Sequence, residues 1–161
     1  LIRRQRQMCI RDRFIAKHLP DISFYVVGSI RGFRSMEYYN RILRLVREMS
    51  LKNVKLHPNA SHKEKLEILR RCKVFLHLMP YEHFGISVVE GMASGCIPVV
   101  HKSGGQWLDI VKEGRYGEGY SSLKPDEMAQ TVGRVISEWD RGIVKTLAGW
   151  ASIFSSKVNL G

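Results

Sequence analysis

From Ser23 onward two hydrophobic periods exchange regularly along this chain, and that exchange limits the folds open to it. Short β-branched or aromatic runs alternate with longer stretches whose apolar residues recur every three or four positions. Ser23–Phe24–Tyr25–Val26–Val27, ended by Gly28, reads as a buried strand. Between Met36 and Leu51, Tyr39, Ile42, Leu43, Val46 and Met49 share one face with Arg and Glu opposite, which predicts an amphipathic helix. Val54 to His57 forms a second strand stopped by Pro58–Asn59, and Ser61 with Glu64 is a capping box opening a helix through Leu66, Ile68, Leu69 and Cys72. Val74 to Leu78 is a third strand, Ile86 to Ser94 a helix stopped at Gly95 in left-handed conformation, and Ile97 to Val100 a fourth strand. Ser103–Gly104–Gly105 makes a turn before a short helical segment around Trp107 to Lys112. A helix from Pro125 to Trp139 comes next, with Asp126 and Glu127 suited to its positive N-terminal end. The last stretch, Val144 to Ser155, reads as a helix-like tail with Leu147, Trp150, Ala151 and Phe154 on one side.

Repeated strand–helix units joined by short loops imply an α/β domain: a parallel sheet with helices on both faces. Ligands of such sheets sit beyond the carboxyl ends of the strands. The loops after Gly28, His57, Leu78 and His101 are therefore the places to look for function. The loop after the third strand runs Met79–Pro–Tyr–Glu–His–Phe–Gly–Ile–Ser–Val–Val–Glu90. Glu82 precedes a helix, Gly85 stands at its entry, and Glu90 lies about one turn inside. Free N–H groups in a first helical turn can receive an anion. A glycine there lets a phosphate approach the backbone closely, and a carboxylate one turn on can accept hydrogen bonds from the vicinal hydroxyls of a ribose. The arrangement suits a sugar, a diphosphate and a nucleoside; ordinary strand-to-helix packing is the alternative reading of the same residues.

Glu82 and Glu90, with seven residues between them and bracketing Phe84–Gly85–Ile86, resemble the E-x7-E signature of the C-terminal domain of family 4 glycosyltransferases. The likeness continues through Glu90–Gly–Met–Ala–Ser–Gly–Cys–Ile–Pro–Val–Val100 and Gly104–Gly105, with looser similarity from Phe24 to about Ile136. His83–Phe84–Gly85–Ile86 and His101 to Gly105 with Leu108–Asp109–Ile110–Val111 are most similar to the GDP-mannose-dependent α-1,2-mannosyltransferases of dolichol-linked oligosaccharide assembly. The resemblance implies a Rossmann-like domain, one half of a GT-B fold, that transfers a hexose with retention from a nucleotide sugar to a glycan or polyprenyl-linked acceptor. It implies that Glu90 binds the donor ribose and that Glu82 is the catalytic-site carboxylate contacting the transferred sugar. His83, Phe84, Gly85 and Ile86 would be donor-binding, and the base would lie near His57–Pro58–Asn59. The family's diphosphate-clamping Arg and Lys have no counterpart before Phe14, and an acceptor-binding N-terminal domain is expected to be missing, so the fragment alone is expected to be inactive. Implied too is a location in the cytoplasm or at the cytoplasmic membrane face.

The net charge of +11 needs dissection. Leu1 to Arg13, LIRRQRQMCIRDR, carries five Arg against one Asp, accounts for four of those charges, and shows no period that leads into the residues after Arg13. It resembles a translated sequencing-adapter read and is expected to be a non-native leader (1–13), followed by a nucleotide-sugar-binding domain (14–140) and a truncated helical tail (141–161). The remaining excess is dispersed over helix surfaces, compatible with an anionic ligand or an anionic membrane surface. A non-catalytic sugar-nucleotide- or anion-binding module and a basic nucleic-acid-binding domain are the rival readings; the second lacks any helix-turn-helix, RRM or KH signature, so no nucleic-acid partner is expected. Cys9, Cys72 and Cys96 are odd in number and widely spaced, and read as free thiols. The six His lack metal spacing, and neither a metal nor another cofactor is expected. His77 reads as a satisfied core or edge histidine, and Trp139, Trp150 and Phe154 as core or interdomain contacts. No apolar run approaches the length of a membrane span.

Overall fold

A computed structural model describes residues 14–140. After a helical turn at 14–18 come β1 (Phe24–Gly28), α1 (Phe33–Glu48), β2 (Val54–Pro58), α2 (His62–Arg71), β3 (Val74–Leu76), α3 (Ile86–Ala93), β4 (Ile97–His101), a π-helical turn (Gln106–Ile110), β5 (Glu118–Tyr120) and α4 (Pro125–Asp140). All strand pairs are parallel. The expected order of elements is therefore met. The tail expected from Val144 to Ser155 lies outside the described residues, as do Cys9, Trp150 and Phe154.

Local signals act as anticipated. Ser61 Oγ accepts from Glu64 N at 3.2 Å while Glu64 Oε2 accepts from Ser61 N at 2.7 Å, so the capping box closes. These bonds, Ser61's backbone N–H first, hold the exposed Glu64 carboxyl below its usual range. At the end of α3, Gly95 adopts φ +93°, Gly95 N donates to Met92 O and Cys96 N to Gly91 O at 3.0 Å each, a Schellman stop. Pro125 opens α4, and Glu127 Oε1 accepts from Ser121 N and Ser122 N, tying the incoming loop to the helix.

Three expectations need correction. The sheet is not one continuous ladder: β1 pairs with β2, β3–β4–β5 form a second group, and no strand joins the two among the described residues. β1 is consequently half-buried rather than buried, whereas Ile97 to Val100 of β4 are fully buried. Since successive strand residues point to opposite faces, β4 is covered on both. Finally, β5 is absent from the sequence-based expectation, because Glu118–Gly119–Tyr120 is too short and too polar to show a period. Its Tyr120 is nonetheless core, and its hydroxyl donates to His77 O at 2.8 Å.

The core gathers on the second group. Val88 and Met92 of α3, Val99 and Val100 of β4, Ile110, and Met128, Val132 and Val135 of α4 are buried together with Ile15 of the first helical turn. Trp139 packs partly buried against this core. Cys72 and Cys96 are free thiols. Cys96 Sγ donates to Leu69 O and lies near Cys72 O, and burial pushes its pKa up to about 12.

Candidate functional site

The loop from Leu78 to Gly85 is held by the turn that follows β4. Gly105 N donates to Glu82 O at 2.9 Å, Ser103 Oγ accepts from Tyr81 N at 2.8 Å, and Ser103 Oγ in turn meets His101 Nδ1 at 2.7 Å. Gln106, fully buried, donates through Nε2 to Met79 O at 2.8 Å. The contact at Gly104–Gly105 admits no side chain: a Cβ on Gly104 would lie 2.5 Å from Glu82 O, and one on Gly105 1.9 Å from His83 O. Two backbones are thus pressed together, and Tyr81 is held at φ +57°. The sequence showed Gly104–Gly105 as a turn; nothing local marked it, or Gln106, as a clamp on a loop more than 20 residues upstream.

The clamp fixes where α3 begins. Gly85 is its N-cap, with no side chain capping the helix. Val88 N and Val89 N both turn back to Gly85 O, at 2.9 and 3.3 Å. The N–H groups of Ile86 and Ser87 at the helix entry find no acceptor among the described residues, leaving a positive helix end open to an anion. Gly85 itself is buried, while His83, Phe84 and Ile86 are exposed around it. Glu82 Oε1 accepts from His83 N at 3.1 Å and keeps the carboxylate folded over the loop.

Glu90 sits one turn into α3, on the side of Lys65. Lys65 Nζ reaches both carboxylate oxygens, at 3.0 and 3.1 Å, with both side chains about one-third exposed. Lys65 belongs to the first turn of α2, so the helices that follow β2 and β3 start close together. Strand ends and helix starts therefore share one edge, as the parallel topology requires. No local signal distinguishes Lys65, which stands on a stretch that reads as a solvated helix face. The loop after β2 lies on the same edge: Asn59, at φ +53°, accepts from Ile30 N at 2.7 Å and donates its own N–H to Gly28 O, and His57 stacks on Tyr25 with ring centroids 5.8 Å apart.

The six candidate residues are thus brought to one loop–helix junction, but they do not form one pocket. Glu90 and Ser87 line a cavity of about 740 Å³ between β1 and β3, which Glu82 to Ile86 do not border. His77 differs from expectation. The residue is half-buried, yet its buried Nε2 lacks a hydrogen-bond partner among the described residues, and desolvation lowers its pKa, with the nearby Glu82 charge opposing. Among the described residues no three His, Cys, Asp or Glu side chains converge as a metal-binding set, and no helix is long and apolar enough to cross a membrane.

An α/β parallel fold with two carboxylates spanning an uncapped helix entry defines the class: a domain of the doubly wound type. Residues 12–144 match the family model described as glycosyl transferases group 1, and the chain belongs to that family. It is 45% identical over 94 residues to a Neurospora crassa GDP-Man:Man(3)GlcNAc(2)-PP-Dol alpha-1,2-mannosyltransferase, covering 58% of this chain and 17% of that protein. The human protein of the same name is 32% identical over 121 residues, 73% of this chain and 24% of the relative. The chain therefore spans less than a quarter of either relative. Among solved structures, a glycosyltransferase from Rickettsia africae superposes with a TM-score of 0.71 at 18% identity, over 86% of this chain and 37% of that one. Anabaena HepE in complex with UDP and glucose gives 0.68 at 20% identity, over 90% and 40%. At these identities the structures establish the fold alone: a Rossmann-like half of a GT-B glycosyltransferase, as the motifs implied.

Proposed function

We propose that this chain is the donor-binding part of a retaining hexosyltransferase, taking mannose from GDP-mannose to a hydroxyl of a lipid-linked glycan. The observation that carries the reading is the junction at Gly85, where an uncapped helix entry lies between Glu82 and Glu90 on a backbone clamped by Gly104–Gly105. The names of the Neurospora and human relatives support the choice of donor and acceptor.

In this reading the amides of Phe84, Gly85 and Ile86 hold the donor's diphosphate and sugar, stabilising the negative charge that grows as the glycosidic bond breaks. Glu90 accepts the ribose hydroxyls. Lys65 keeps that carboxylate aimed, a geometry that leaves lone pairs free for a diol. Glu82 orients the transferred hexose, His83 flanks it, and the base lies by His57 to Asn59. The acceptor is held by parts of the complete protein outside these residues. Basic side chains on α1 and α2, among them Arg41, Arg44 and Lys63, would favour an anionic cytoplasmic membrane face, where a polyprenyl-linked acceptor is presented.

The test is a chimera in which residues 14–140 replace the matching segment of the Neurospora relative. In a folded chimera, mannose transfer is expected, with Glu90→Gln raising the KM for GDP-mannose and Glu82→Gln lowering kcat by about a hundredfold, the scale of a lost orienting contact. Transfer unaffected by both substitutions would contradict the assignment.

A further inference from the structure

His101 closes β4 and pairs in register with Tyr120 of β5. Both of its ring nitrogens are engaged: Nε2 lies 3.0 Å from Ser121 O, and Nδ1 lies 2.7 Å from Ser103 Oγ. A carbonyl oxygen can only accept, so in the neutral ring Nε2 carries the hydrogen and Nδ1 is left as an acceptor. The Ser103 hydroxyl therefore donates to Nδ1, and a lone pair of its oxygen accepts from Tyr81 N at 2.8 Å. The result is a directed line of hydrogen bonds, from Tyr81 N to Ser103 Oγ to His101 Nδ1, then from His101 Nε2 to Ser121 O. Its far end is tied to α4, since Ser121 N and Ser122 N both donate to Glu127 Oε1. The imidazole also has Tyr120 edge-on at 5.4 Å and Tyr81 tilted at 6.1 Å between ring centroids. At the near end, Tyr81 holds φ +57°, a conformation that residues with a side chain avoid. The next residue is Glu82, whose O accepts from Gly105 N at 2.9 Å. The main chain is thus pinned just before and just after the Glu82 side chain.

We propose that His101 is a positioning residue for the loop that carries Glu82: its Nδ1 orients the Ser103 hydroxyl so that the oxygen meets Tyr81 N, and this holds Tyr81 in the left-handed conformation from which Glu82 and His83 are presented. Without an acceptor at Nδ1 the hydroxyl rotates, and one of its rotamers turns the hydrogen towards the Tyr81 N–H, where donor meets donor. The two ring nitrogens have separable tasks. Nε2 anchors the ring on Ser121, and Nδ1 sets the hydroxyl. An asparagine carboxamide puts its oxygen near the position of Nδ1, whereas a glutamine carboxamide puts its nitrogen near that of Nε2. His101→Asn therefore keeps the acceptor for Ser103 and gives up the anchor, and His101→Gln does the reverse. The consequence for sugar transfer rests on the functional reading above, in which Glu82 orients the hexose; the placement of the loop does not.

The experiment measures amide hydrogen exchange in the 161-residue chain and its variants, with Val99 and Val100 reporting overall folding. Exchange at Tyr81 is expected to quicken by about tenfold in His101→Gln and Ser103→Ala, and to stay within about threefold of the parent in His101→Asn and Ser103→Thr. The same four substitutions are then made in the Neurospora chimera. There His101→Gln and Ser103→Ala should lower kcat by about tenfold with the KM for GDP-mannose within about twofold, while His101→Asn and Ser103→Thr restore kcat. A residue that served only stability would not separate the two carboxamides in this way. Quickening in both His101 variants or in neither, quickening at Tyr81 that merely follows Val99 and Val100, or a raised KM at unchanged kcat would overturn the proposal. Exchange needs no donor, so transfer left intact by Glu82→Gln would discard the functional reading while the Tyr81 amide still decides whether His101 places the loop.

Discussion

Replacing Gly105 by alanine would place a methyl carbon 1.9 Å from His83 O, 2.9 Å from the carbon of that carbonyl, and 3.2 Å from Asp109 Oδ2. The closest comfortable C···O approach is about 3.3 Å, so the His83 peptide must retreat by more than about 1 Å. That retreat strains the bond from Gly105 N to Glu82 O at 2.9 Å. Overpacking costs about 1–3 kcal/mol and a lost hydrogen bond about 1; because the obstacle is backbone, the upper part of the range applies, about 3 kcal/mol in all. Two controls isolate the contact. Gly95→Ala meets nothing within 4 Å but must hold φ +93°, a backbone cost of roughly 1–2 kcal/mol. Gly28→Ala has open space and no positive φ, so its effect should stay within about 0.5 kcal/mol. Urea unfolding followed by circular dichroism ranks the three, provided the slope is unchanged. If Gly105→Ala is no more destabilised than Gly95→Ala, the clamp reasoning is wrong.

Other named contacts carry their own expected outcomes. Asn53→Ala, which releases three carbonyls from one amide, should cost about 1–3 kcal/mol in urea unfolding. Ser61→Ala should cost about 1 kcal/mol by opening the capping box. His77 has a folded pKa below its ordinary 6.5, so below that pH the unfolded chain binds the proton more readily and stability falls as the solution is acidified. His77→Gln should flatten the stability profile in that window, and an unchanged profile would count against the burial argument. Cys96, with its thiol pushed up to about 12, should resist alkylation at pH 8 in the folded chain and react once urea unfolds it.

Much of this fold is legible in the sequence because its signals are local. The capping box, the Gly95 stop and Pro125 at the head of α4 act within a few residues, and each behaves as its local pattern predicts. What escapes depends on partners far along the chain. β5 is a strand only because β4 lies beside it. The division into two ladders depends on which strands neighbour one another, which periodicity does not encode. The candidate site divides in the same way. Glu82, Gly85 and Glu90 are marked by spacing around a helix entry, whereas Lys65, Gln106 and the Gly104–Gly105 clamp gain their roles from tertiary contact alone. The usual behaviour of core histidines predicts a satisfied His77, and its bare Nε2 shows only in three dimensions.

Binding of a nucleotide sugar at the Gly85 junction underlies every functional role assigned above, and NMR titration of the isotope-labelled chain with GDP-mannose, GDP and UDP-GlcNAc reads it without an acceptor. Saturable shifts centred on His83 to Glu90 are expected, strongest with GDP-mannose and weakened by Glu90→Gln. Shifts absent there at millimolar ligand in a chain whose β4 amides are protected, or shifts identical in Glu90→Gln, would contradict it.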